Sequence, residues 1–556
     1  MSSTQYRAGK LSQALLRSAR LMFLSALSLL SFILWTSPVW AASGPPETPP
    51  QALLWSYLAG GLAFLVPVAI VFWVVSGLEP DDARPAALLV PVTVAAVALA
   101  YAAVGFALEF GGVGLMDARH GFSRLVWEWS ALPEQWGPYW GMAGFAGWFL
   151  GGGAGTPEAV ALFWGHFAWV LVAALIPVLV MRRQVPRLYP LLIALLMAGG
   201  VVPVAGNWVH GGGWLARLGA TLGWGHGYVD VGGSGLVGLV GGGMGLALLL
   251  AFRLTRGPEE PKGELPPVHL PLLAAGGSLF LVVAAAGWAL NNPLYSLNTM
   301  PLHRILTNAL LGMAGGAALP AFYIWFVTDA HHPHFALAGA FAGWLSVLAG
   351  LPFLPAPFAL LTGTVVGFLV PFAVYAVREW ARLDDPAGLV TASLLGGTAG
   401  PLAVGLFADG RYGQGWNGIG SQRYLGVSGQ GVSGFFVAPG FTPDWPGQMQ
   451  AQAVGVAAHF LWAFVIGSVV GVALALLWWA VRRVLSTQAL RRDAQEGPQD
   501  VADEEADGRY SQADEGHFPE LVPEVQIPGH RDVIVEEGDD EHGENQSDAH
   551  ADDIVA

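Results

Sequence analysis

Residues 207–243 read NWVHGGGWLARLGATLGWGHGYVDVGGSGLVGLVGGG. Glycine at this density would break a helix in water. The stretch also holds Asp230, one of the few acids inside the apolar body of the chain. A carboxylate that close to a bilayer interior costs at least ~2.5–3.5 kcal/mol by insertion scales, so its presence marks a functional position. Near the outer end of a membrane span it can cap the helix N-terminus, hold backbone N–H groups beside a ligand, or attract a cation. A cap and a ligand site are compatible.

The composition outside this stretch fits lipid as the solvent. The 556 residues are 54% hydrophobic and only 12% charged, with mean hydropathy +0.51. Soluble domains carry about 25% charged residues. With no cysteine in the chain, disulfides, thiolate nucleophiles and cysteine metal sites are excluded. The formal net charge of -15 belongs to the C-terminus, because about half of the 40 acids follow Arg492. The segment 484–556 reads as an acidic, disordered cytoplasmic tail that could bind a partner. The remaining body is near neutral, and nothing in it points to nucleic acid.

Residues 1–42 have a basic start (Arg7, Lys10, Arg17, Arg20), an apolar run from Leu21 to Leu34 and small residues at its end. That pattern predicts a cleaved signal peptide; an uncleaved first helix is the alternative. A polar, proline-rich spacer, 43–50, follows. From there to 483 the chain is a series of apolar stretches, each about long enough to cross a ~30 Å hydrocarbon core. We count eleven: 51–77, 86–110, 157–181, 187–208, 228–253, 268–291, 303–328, 334–351, 355–378, 387–408 and 450–481. The segment 120–156 reads as an outer loop or a re-entrant piece. Lys and Arg are biased toward the loops that are cytoplasmic if the mature N-terminus lies outside, so the expected orientation is N-out, C-in.

The chain also reads as two halves. The first five spans contain the Asp230 stretch, and spans six to ten end in LDDPAGLVTASLLGGTAGPLAVGLFADG, 383–410. Both blocks run acid, small residues, Gly-Gly, then apolar, which predicts a five-plus-five inverted repeat with a pathway between the halves. Glycines in GGSGLVGLVGGGMG and LLGMAGGAAL suit close helix approach.

Chemistry-bearing motifs are scarce. There is no nucleophile elbow, paired-carboxylate cleft or phosphate-cradling loop, and GGGMG at 241–245 follows no strand pattern. His331, His332 and His334 beside Asp329 read as a solvated turn, and a metal there would need ligands from elsewhere. No enzyme, metal or cofactor is expected.

Three stretches carry a family resemblance: PVAGNWVHGGGWLARLG at 203–219, DVGGSGLVGLVGG at 230–242, and the block at 383–410. They resemble signature segments of the ammonium transporter (Amt/Rh) family. VPVTVAAVALAYAAVGFALEFG at 90–111 and GWALNNP at 287–293 are similar to two more. The likeness runs in order over about 51–483. It implies an all-α membrane protein of eleven helices with a pseudo-twofold between spans 1–5 and 6–10, assembled as a homotrimer with one pore per subunit. The activity implied is passage of ammonium or ammonia, or a similarly small solute.

Carried over by position, the resemblance implies that Asp230 shapes an outer recruiting site, joined there by Trp288. Trp169 matches one of the family's pore-gating phenylalanines. The departures fall on chemistry. The two pore histidines fall on Gly238 and Ser393, the second gating phenylalanine on Asn291, the outer cation–π tryptophan on His210, and the ammonium-binding serine on Tyr295. Gly238 and Ser393 predict a pore centre that is wider or differently wetted. An imidazole pair suits proton relay, and its loss raises the alternative of a transporter-derived sensor or scaffold acting through the tail.

Overall fold

The computed structural model describes residues 50–495 apart from 79, 118–119, 133–139, 183–184, 257–270, 293, 295–299, 324 and 327–333. The expected signal peptide, Tyr295, His331, His332 and nearly all of the acidic tail lie outside these residues, as does the side chain of His334. Met1–Thr487 forms one compact unit. Of the second, Gln488–Ala556, residues 488–495 are described, and they are helical.

Ten described helices are long and apolar enough to cross a membrane. They are α1 (Gln51–Ser76), α2 (Asp82–Leu115), α3 (Pro157–Val180), α4 (Leu188–Asn207) and α5 (Ser234–Arg253), then α6 (Leu272–Leu290) and α7 (Leu302–Tyr323). A shorter apolar helix, α8 (Phe335–Leu348), stands where the eighth span was expected. Then come α9 (Ala356–Trp380), α10 (Pro386–Phe407) and α11 (Gly447–Val484), the last continuing as helix to Gln495. Among the described residues the count is therefore ten full spans and one short one. The described residues of 120–156 include short 3-10 turns and an antiparallel pair of strands, Glu128–Ser130 with Gly141–Gly144.

Burial separates the centre from the lipid-facing rim. The apolar windows of α3 and α5 are 83% and 78% buried, whereas those of α2 and α11 are 22% buried. With no hydrophobic drive between helices in lipid, close packing of small residues has to bring α5 to its neighbours. A Cβ built on Gly238 would lie 2.7 Å from the carbonyl of Ser393 and 2.8 Å from Cα of Gly397. Further along α5, Gly242 faces Leu394, and Gly245 faces Val390. Rising numbers on α5 thus meet falling numbers on α10. The two helices cross antiparallel at backbone contact, with their N-termini at opposite ends of the bundle.

The expected span 228–253 begins later, at Ser234. Asp230 and the residues after it form a turn, and Gly233 sits at φ 72° with the Trp169 ring 2.7 Å from where a Cβ would be. Only glycine tolerates both conditions. The helix then starts with a π-helical turn, Ser234–Leu239, a form that concentrates at functional sites.

Candidate functional site

Asp230 is buried, and its carboxylate is fully used as a cap. Oδ1 accepts the Ser234 N–H at 2.6 Å, and Oδ2 accepts those of Gly235 and Leu236 at 2.9 and 3.1 Å. These are donors that a helix N-terminus leaves unsatisfied. The segment leading to the aspartate is held from α11. Gln448 accepts from the His226 N–H and donates to the Gly227 carbonyl, both at 2.9 Å. Gln452 does the same at Val229, at 3.0 Å in both directions. Spaced four apart, these two glutamines lie on one helix face and fasten the loop to it like a short strand.

His210 closes the other side. Its Nε2–H donates to the Asp230 carbonyl at 2.8 Å, so Nδ1 carries the lone pair, and that atom is buried without a partner. Burial, followed by the neighbouring His166, pushes the imidazole down to about 3. The ring is therefore neutral at ordinary pH and does not repel a cation. It meets the Trp169 ring edge-on at 5.1 Å. Trp169 in turn stacks on Trp288 at 5.5 Å and 13°, and Trp288 donates its N–H to the Gly232 carbonyl at 2.9 Å. Asp230, His210, Trp169 and Trp288 thus form one buried assembly.

A second buried group adjoins it, which the sequence reading missed. His166, one helical turn before Trp169 on α3, contacts Glu109 Oε1 through Nδ1 at 3.0 Å and Asn292 Nδ2 through Nε2 at 3.1 Å. An amide N–H can only donate, so Nε2 accepts and the ring proton sits on Nδ1, directed at the carboxylate. Tyr101 donates its hydroxyl to Glu109 Oε2 at 2.7 Å. The His166 and His210 rings lie 5.2 Å apart. The available signals were a lone acid in the expected span 86–110 and a histidine in step with Trp169. Asn291 is fully buried beside this group and donates to the Gly165 carbonyl at 3.1 Å, with its Oδ1 unpartnered.

Gly238 and Ser393 do come together, but not around a widened gap. Their helices have closed onto each other, and the Ser393 hydroxyl donates within its own helix to the Leu389 carbonyl at 2.7 Å. Of the expected wider or differently wetted centre, the wider form is corrected here: with glycine at 238 the backbones approach, because tight packing of small residues is what holds membrane helices together. Tyr295 lies outside the described residues.

Next to the assembly is a cavity of about 640 Å³, lined among others by His210, Tyr228, Asp230, Asp117, Arg411 and Trp416. Arg411 sits 3.8 Å from Asp409, which also takes a two-point bond from Arg304. The Tyr228 hydroxyl is fully buried and, like His210 Nδ1, has no partner. Among the described residues no cluster suits a metal ion.

The profile described as Ammonium Transporter Family matches residues 55–496. The chain is 27% identical over 392 residues to the ammonium transporter Amt2 of Archaeoglobus fulgidus, covering 70% of this chain and 73% of that one. It is 25% identical over 286 residues to an ammonium transporter of Bacillus subtilis, covering 50% and 60%. Among solved structures, a protein titled Sensor Amt Protein superposes with TM-score 0.59 at 19% identity, covering 78% of this chain and 93% of that one. Candida albicans Mep2 gives 0.58 at 18%, covering 76% and 84%. At these identities the structural matches speak to the fold. Together with the run of apolar helices, the profile match identifies a multi-pass membrane protein, and the chain belongs to the ammonium transporter family.

Proposed function

We propose that this chain is a membrane channel or transporter for ammonium or ammonia, with an atypical pore. One observation carries the reading: the cavity is lined by Asp230, Tyr228 and His210, and His210 keeps an unpaired acceptor at Nδ1 beside the Asp230 segment. Ammonium is a small ion with N–H donors and no acceptor, so it complements such a lining. The stacked Trp169 and Trp288 next to it supply aromatic surface that lowers the cost of stripping water from a cation. The relatives named as ammonium transporters support the same substrate. The test is flux: purified protein in proteoliposomes should carry an ammonium-evoked current or methylammonium uptake above empty liposomes. Equal signals from the two would end this reading.

A second reading, a sensor or scaffold that conducts little, is favoured by the contact of Gly238 with Ser393 and Gly397. It expects ammonium binding without flux, and a phenotype that depends on the acidic tail. An unaltered phenotype on tail deletion would count against it. Under either reading we take the assembly to be a homotrimer, the mature N-terminus to be outside and the tail to be cytoplasmic. The family resemblance and the Lys/Arg bias support these assignments.

A further inference from the structure

We propose that Arg411 is a charge filter for the cavity at Asp230: a surplus guanidinium that opposes cation entry and sets how tightly ammonium binds. This rests on the reading of that cavity as an ammonium site. Among the described residues that line it, Arg411 is the one arginine or lysine.

The surplus follows from the charges around Asp409, where two guanidiniums meet one carboxylate. Arg304 takes both oxygens, Nη1 on Oδ1 at 3.1 Å and Nη2 on Oδ2 at 2.8 Å. The side chains of Arg304 and Asp409 are 12% and 4% exposed, and a buried ion left without its partner is costly, so each needs the other. Arg411 approaches the same carboxylate only with Nε at 3.8 Å, beyond hydrogen-bond distance, and its side chain is 55% exposed. The trio therefore carries one net positive charge. The arginine that presents it to water is the one that lines the cavity.

The wall that bears Arg411 is fastened along its length. The Arg411 backbone N–H donates to Asp409 Oδ1 at 3.1 Å. Tyr412 lies under the Arg304 guanidinium, 4.8 Å from its ring centre. Trp416 meets Phe353 edge-on at 5.3 Å, and Asn417 donates to the His226 carbonyl at 2.8 Å. Tyr412, Trp416 and Asn417 line the cavity as well. The backbone of Arg411 is thus fixed relative to the loop that leads into Asp230, and its charge faces any cation that enters. Because the group is open to water, it acts through the field rather than by contact, and salt must screen it.

The test titrates the full chain in nanodiscs with ammonium chloride by calorimetry, at about 0.01 M and about 1 M sodium chloride, between which the Debye length falls from about 30 Å to about 3 Å. At low salt Arg411→Gln should tighten ammonium binding roughly two- to fivefold, the range of exposed charge pairs. Arg411→Glu should tighten it further, and Arg411→Lys should bind as the wild type does. All four proteins should converge at high salt. The sign separates this role from a structural one, since a loosened wall would weaken binding. Equal or weaker binding by Arg411→Gln at low salt would overturn the filter, as would a gain that persists undiminished at high salt. Absence of ammonium binding by the wild type would overturn the ammonium reading of the cavity, and the filter with it.

Discussion

Asp230 and Asp385 make the same cap on helices that run antiparallel through the centre of the molecule. Asp230 accepts three backbone N–H groups at the start of α5. Asp385 accepts those of Val390 and Thr391 at the start of α10, each at 2.9 Å, and the Thr391 hydroxyl at 2.7 Å. The inverted repeat expected from the sequence is visible in this pair: equivalent acids secure equivalent helices from opposite ends of the bundle.

Removing either carboxylate should therefore unseat a helix end. Asp230→Ala strands three buried N–H groups, each costing about 1–3 kcal/mol when left unpaired. The expected result is a much reduced yield and a lower melting temperature in detergent. Asp230→Asn keeps one acceptor and should fall between the two. An Asp230→Ala protein that melts with the wild type would show that the cap carries no stability.

The central crossing makes a second demand. Gly238→Ala places a methyl 2.7–2.8 Å from the Ser393 carbonyl and Gly397 Cα. Overpacking of this kind costs about 1–3 kcal/mol. Gly61→Ala, where nothing lies within 4 Å, is the control and should be nearly neutral. Putting histidine at 238 and 393 together should destabilise the protein further, since the helices leave no room for a ring at 238. A double variant that melts with the wild type would contradict the close crossing.

The glutamine clamp can be tested by exchange. Gln448→Leu with Gln452→Leu removes four hydrogen bonds between α11 and residues 226–229. The amides of His226 and Val229 should then exchange hydrogen faster, and ammonium affinity should drop as the Asp230 segment loosens. Unchanged protection at these two amides would mean that other contacts hold the loop.

Glu128, in the strand pair with Gly141–Gly144, provides a pH signature. Burial raises its carboxyl to about 7, against bonds from Asn207 and the Arg217 charge that lower it. The folded protein thus binds this proton more tightly than the unfolded chain, whose glutamate titrates near 4.3. The resulting stability is fully present below the unfolded value and is lost as pH rises through about 7. Wild-type melting temperature should fall by a few degrees between pH 5.5 and 8, and Glu128→Gln should flatten that slope. Parallel profiles for the two proteins would exclude Glu128 as the titrating group.

What the sequence by itself determined is local and solvent-driven. Long apolar stretches report a bilayer, and a lone acid before a glycine-rich helix start reports a cap, so the spans and Asp230 could be read from residue order, whereas the correspondence of Gly238 with Ser393 came from the family resemblance. Whether α5 and α10 part around water or close on each other could not, because that depends on which small residues meet across the crossing. The Glu109–His166 pair and the reach of Gln448 and Gln452 back to the loop before Asp230 were likewise set only by the tertiary structure. They join residues 57 and more than 220 positions apart, and hydrogen bonds at that separation follow from helix packing rather than from any periodicity along the chain.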